Sequence, residues 1–91
     1  MSATRIEIFG TVQGVGFRFF VTHAARAQGL RGWVRNRRDG SVEALLIGEA
    51  AAVAAVVEQA RRGPPLARVD RIETFPAQDD GTPDFTERVT V

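Results

Sequence analysis

Cysteine is absent from this 91-residue chain, which excludes disulfides, thiolate nucleophiles and cysteine-based zinc sites. Lysine is absent too, because all 12 basic residues are arginine. That excludes the P-loop lysine that contacts nucleotide phosphates and Schiff-base chemistry through an ε-amine. A base composition favouring arginine codons accounts for most of the bias, and the exclusion holds either way. No apolar run approaches the length of a membrane span. The opening MSATRIEIFG shows no leader pattern, so a cytoplasmic protein without membrane association is expected. Histidine is nearly absent: His23 stands alone, and no His, Asp or Glu cluster has metal-ligand spacing. No metal or other cofactor is therefore expected. A net charge of +1 is too small to advertise a nucleic-acid or anionic-membrane surface.

What is present suits one modest core. The chain is 44% hydrophobic and 25% charged, as an ordinary soluble globule is, and its length favours one domain over residues 1–91. Residues 4–10, TRIEIFG, alternate with Ile6 and Ile8 on one side and read as a half-buried strand. Residues 18–28 suit a helix whose apolar face holds Phe20, Ala24 and Ala27, flanked by Val21 and stopped by Gly29. Leu30 to Arg35 alternates again, and Asp39-Gly40 marks a hairpin turn before SVEALLIG. Residues 49–62 give a second helix with Val53, Val56, Val57 and Ala60 on one face, ended by Pro64-Pro65. A fourth strand covers roughly 66–75 and a polar loop 76–83, while Phe85, Val89 and Val91 suggest a fifth, terminal strand. This order predicts an α+β, ferredoxin-like split βαβ sandwich: βαββαβ plus a C-terminal strand, with two helices on one face of a mainly antiparallel sheet.

Between the first strand and the first helix lies GTVQGVGFR, residues 10–18. Its glycines let the backbone curl and approach a ligand. The amides of Thr11, Val12, Gln13, Gly14, Val15, Gly16 and Phe17, with the open N–H groups of the helix start, form a cup for a tetrahedral anion. Arg18 adds a permanent charge with a planar fork of donors suited to phosphate. The pattern is not a dinucleotide-binding fingerprint, since Phe19 occupies the third glycine position. The loop offers only Thr11 as a hydroxyl, read as a strand-end turn residue, and no general acid is evident. Such a site suits a leaving group that departs unprotonated. The carboxylate of a mixed carboxylic–phosphoric anhydride does so, its conjugate acid having a pKa of about 4. Positioning and electrostatics then carry the catalysis. Asn36, before the Arg37-Arg38-Asp39-Gly40 turn, is the best candidate to orient the attacking water. On spacing alone a turn-initiating role fits it equally well. Its approach to the first helix would follow if the first two strands were neighbours.

GTVQGVGFR, followed by GLRGWVRNRRDGSVEA and later GPPLARVDRIE, closely resembles the acylphosphatases over most of residues 5–75. The resemblance implies a small hydrolase that cleaves acyl phosphates to a carboxylate and orthophosphate without metal, on the same sandwich fold. It implies that Arg18 and the Thr11–Phe17 amides bind the substrate phosphate and that Asn36 orients the water. The departure is at the end: FTERVTV places Glu87 where an apolar residue is expected, which leaves the last strand's position open.

Two rival readings compete with this one. Similar domains begin larger carbamoyl-transfer maturation proteins, but this chain has one domain's length and no zinc-finger cysteines, which favours a free-standing, monomeric enzyme acting on small molecules. The sandwich also serves as an RNA-binding module that stacks bases on strand aromatics. Here SVEALLIG has none, and the row Arg31, Trp33, Arg35, Arg37 reads as a solvated strand face with Trp33 partly packed. Asp79 and Asp80 read as solvated turn residues.

Overall fold

A computed structural model describes residues 2–91. The elements run β1 (Ser2–Thr11), α1 (Phe17–Ala27), β2 (Arg31–Asn36), β3 (Val42–Gly48), α2 (Ala50–Arg62), β4 (Arg68–Pro76) and β5 (Phe85–Glu87). The strands form one sheet in the order β4-β1-β3-β2-β5. All pairings are antiparallel except β2 with β5. This is the ferredoxin-like α+β architecture, with a fifth strand on the β2 edge.

Period-2 alternation divides the sheet into two faces. Ile6 and Ile8 of β1, Val34 of β2, and Val42, Ala44 and Leu46 of β3 join the main core with Phe17, Val21, Ala24 and Ala25 of α1 and Val53, Val56 and Ala60 of α2. The buried stripe of α1 thus starts at Phe17 and runs through Val21 to Ala24. Phe20 is half-buried and packs at the edge of the core, and Ala27 is exposed; both also border a groove between the helices. Val21 and Ala24 belong to both the expected and the observed stripe; the buried one is extended to Phe17 at i−4 from Val21 and takes in Ala25 rather than Ala27.

The opposite face carries a lattice of charge. Buried Glu43 accepts from Arg5 at 3.0 Å and Arg35 at 2.8 Å, and Glu7 pairs with Arg5 and, at 3.0 Å, with Arg37. Trp33 is only 7% exposed, more deeply covered than its sequence neighbours suggest. It packs with Leu45 and Ile47 beneath the connection from β4 to β5, which must cross this face to reach the far edge. That connection is tied down along the way. Asp79 pairs with Arg31, Asp80 accepts from Trp33 Nε1 at 3.1 Å, and the Arg31 guanidinium donates to the Thr82 carbonyl at 2.7 Å. The two acids are exposed, as expected, but they fasten the strap rather than merely solvate a turn.

The terminal strand is shorter than expected. Phe85 enters the core and β5 pairs with Gly32 to Val34 of β2, but Val89 is 81% exposed. Val91 is nevertheless held, because its N–H donates to the Asn36 carbonyl at 3.2 Å and its carbonyl accepts from Arg38 at 2.8 Å.

Candidate active site

The site forms where β1 and β2 end. Both strands run antiparallel to β3, so they are parallel to each other and stop at the same edge of the sheet. They are not neighbours: β3 lies between them, with Ile8 opposite Val42 and Val42 opposite Asn36. Two strand spacings, roughly 9–10 Å, therefore separate the β1 end from Asn36, and the Val12–Gly16 loop closes that distance. Its anchor is Gln13, whose Nε2 donates to the carbonyls of Arg37 at 2.7 Å and Ser41 at 2.9 Å. Those carbonyls belong to the β2–β3 turn, which is fixed in turn by the Asp39 carboxylate accepting from the Ser41 amide and hydroxyl. The same Ser41 hydroxyl, followed by its amide, holds the Asp39 carboxyl below the usual range.

Gly14 and Gly16 take φ of 74° and 82°, the left-handed region that turns successive amides to one side. Gly16 also caps α1, with no side-chain cap and no acid in the first turn. The positive end of the helix is left without an acidic side chain of its own first turn. From Val12 through Phe19 no main-chain N–H donates to an acceptor among the described residues; the first helical bond is from Phe20 to the Gly16 carbonyl at 3.0 Å.

These amides border a cavity of about 180 Å³ lined by Val12, Gly14, Gly16, Phe17, Arg18, Phe19, Asn36 and Glu87. Arg18 enters from the first turn of α1 and Asn36 from the end of β2. Asn36 shares the helix-facing parity of Val34, but its position lies just beyond the core. Neither side chain forms a hydrogen bond or ion pair among the described residues, so both remain available to a ligand. Of the other loop residues named from the sequence, Thr11 ends β1 and Gln13 turns away to the hairpin. Val15 packs beside the core and borders the interhelical groove.

Sequence reasoning did not place Glu87 here. The signal was present in the alternation: once Phe85 points into the core, Glu87 points to the same side two residues on. There it faces the first turns of α1 across the cavity. Among the described residues no three His, Asp or Glu side chains are placed to hold a metal ion.

A sequence model of the acylphosphatase family matches residues 4–87. A protein of Acidovorax sp. (strain JS42) named acylphosphatase is 50% identical over 91 residues, covering 99% of this chain and 94% of that one. The crystal structure of acylphosphatase from Bacillus subtilis superposes with a TM-score of 0.92 at 39% identity, covering 97% of this chain and 99% of that one. The structure of full-length HypF gives a TM-score of 0.91 at 31% identity, but the match covers 98% of this chain and only 12% of that protein.

Proposed function

The chain belongs to the acylphosphatase family and is a hydrolase of acyl phosphates, and we propose that the cavity shared by Arg18 and Asn36 is where it works. The phosphoryl group sits in the cup of open amides between Val12 and Phe19, with the Arg18 guanidinium bridging its oxygens. The carboxamide of Asn36 accepts from and donates to the attacking water across the cavity, aiming it at phosphorus. In-line displacement expels the carboxylate, which needs no proton, and leaves orthophosphate. Charge on the equatorial oxygens grows toward donors already oriented, so the loop stabilises the transition state without reorganising. No metal takes part in this reading.

The observation that carries it is the meeting of Arg18 and Asn36, 18 residues apart in the chain, on one cavity walled by unengaged N–H groups. In the same reading the protein is a cytoplasmic, monomeric enzyme for small acyl phosphates, with residues 1–91 as a single domain, and not a nucleic-acid binder. Arg31, Arg35 and Arg37 are already paired with Asp79, Glu43 and Glu7.

Benzoyl phosphate hydrolysis in excess chelator tests it. Arg18→Gln should raise KM and lower kcat together, while Asn36→Ala should mainly lower kcat, by about 100-fold if it acts as a preorganised polar group. Loss of activity with chelator, or an unchanged kcat in Asn36→Ala, would overturn the assignment.

A further inference from the structure

A cavity of about 180 Å³ is smaller than the roughly 300–1,000 Å³ of a typical small-molecule site, so it takes the phosphoryl group and leaves the acyl group outside. Two larger clefts adjoin it. One, of about 430 Å³, lies between the helices and is bordered by apolar residues including Phe20, Ala24 and Pro64. The other, of about 370 Å³, lies between α1 and β5 and is lined by Phe19, Thr22, His23, Arg26, Thr86 and Glu87. Phe19, 69% exposed, borders all three spaces.

The polar groups of the α1–β5 cleft are not equally free. The Thr22 hydroxyl donates to the Arg18 carbonyl at 2.8 Å. The Arg26 guanidinium donates to the Phe85 carbonyl at 3.1 Å and 2.8 Å; it keeps its charge, but its Cα lies about 12 Å along the helix from that of Arg18 and it does not line the phosphate cavity. His23 stacks on Phe19 at 6.0 Å. Glu87 forms no ion pair among the described residues. It is also the side chain, together with Phe19, that lines both the cleft and the phosphate cavity. Of the charged side chains of this cleft, only the Glu87 carboxylate also borders the phosphate cavity, so an acyl group leaving the cavity by this route passes it first.

We propose that Glu87 is a specificity-determining residue that selects acyl phosphates by the charge of the acyl group. It favours acyl groups bearing a cationic substituent, such as an ammonium, seated in the α1–β5 cleft, and it turns away those bearing a second anion. This rests on the phosphate-site reading above. Glu87 also repels the phosphoryl group itself, a cost offset only when the acyl group brings a positive charge.

The experiment compares kcat/KM for benzoyl phosphate, its 4-carboxy derivative and its 4-(trimethylammoniomethyl) derivative, by phosphate release. The parent protein should prefer the cationic over the anionic substrate by about tenfold. That is the scale of a unit charge acting over roughly 6–8 Å through a partly solvated path. In Glu87→Gln the preference should fall to within about threefold, and neutral benzoyl phosphate should turn over slightly faster. Glu58→Gln, a carboxylate on the exposed side of α2, should leave the preference intact. Without any substitution, raising the salt should compress the ratio. A ratio insensitive to both salt and Glu87→Gln, with benzoyl phosphate still hydrolysed, would overturn the proposal and place the acyl group in the interhelical groove. Benzoyl phosphate hydrolysis that survives Arg18→Gln would instead overturn the phosphate-site reading beneath it.

Discussion

Removing the Gln13 carboxamide tests whether the loop is held across β3 by one side chain. Its Nε2 makes two donor contacts, at 2.7 Å and 2.9 Å, each worth about 0.5–1.5 kcal/mol net. Neither acceptor is orphaned by the loss. The Arg37 carbonyl still accepts from Gly40 at 3.1 Å, and the Ser41 carbonyl from Arg37 at 2.9 Å. The lower half of the range therefore applies, and Gln13→Ala should cost about 1–2 kcal/mol. A chain of this length unfolds with an entropy near 0.19 kcal/mol/K, so Tm should fall by roughly 5–10 °C. Gln13→Glu separates donor chemistry from shape: it is isosteric, but at neutral pH it offers only acceptors to two carbonyl oxygens. Its Tm should be no higher than that of Gln13→Ala. Because the loop amides lose their anchor, the stabilisation given by inorganic phosphate should shrink as well. A tenfold weaker affinity lowers it by up to about 1.4 kcal/mol at saturating ligand. Thermal unfolding of both variants with and without phosphate measures these quantities. A Gln13→Glu protein melting within about 2 °C of the parent, with an undiminished phosphate shift, would refute the anchoring role.

Two further outcomes follow from the strap and the loop. The Thr82 hydroxyl first, then its amide, with Trp33 Nε1 and Arg88 also contributing, lower the Asp80 carboxyl to about 2. The folded state thus prefers the charged form. That stabilisation is complete above the unfolded value of about 3.9 and is lost as pH falls toward about 2. Asp80→Asn should lower the urea midpoint at neutral pH and flatten its decline between about pH 4 and pH 2; an acid limb parallel to the parent's would remove Asp80 from the account. A Cβ at Gly16 would meet nothing within 4 Å, so substitution there costs only the left-handed backbone, about 1–2 kcal/mol for most residues and less for Asn. Gly16→Asn should therefore exceed Gly16→Val in both Tm and phosphate affinity, and equal values would show that φ at Gly16 is not what matters.

The order of elements and the helix-covered face were legible in the sequence because each rests on local information. Ile6 and Ile8 alternate, Val53, Val56 and Ala60 repeat with the helical period, and Asp39-Gly40 turns the chain between β2 and β3. Arg18 and the loop were legible for the same reason, since glycine spacing and the residue after it are read within a single segment. What distance in the chain conceals is how the pieces meet. No local pattern shows that β3 separates β1 from β2, so the approach of Asn36 to the loop rests on Gln13 spanning the gap rather than on adjacent strands. Nor does any local pattern show that the polar 76–83 connection must cross the open face, where Asp79 and Asp80 find Arg31 and Trp33. Glu87 is the instructive middle case. Read against an apolar expectation it looks misplaced in the last strand. Read from Phe85 by strict alternation it belongs on the helix side, facing the first turns of α1 at the edge of the core. A buried apolar strand end would have closed the cavity at this corner; a carboxylate keeps it open and gives it a sign. The residue that fits the strand pattern least is thus the one that the β2–β5 pairing brings to the cavity of Arg18 and Asn36.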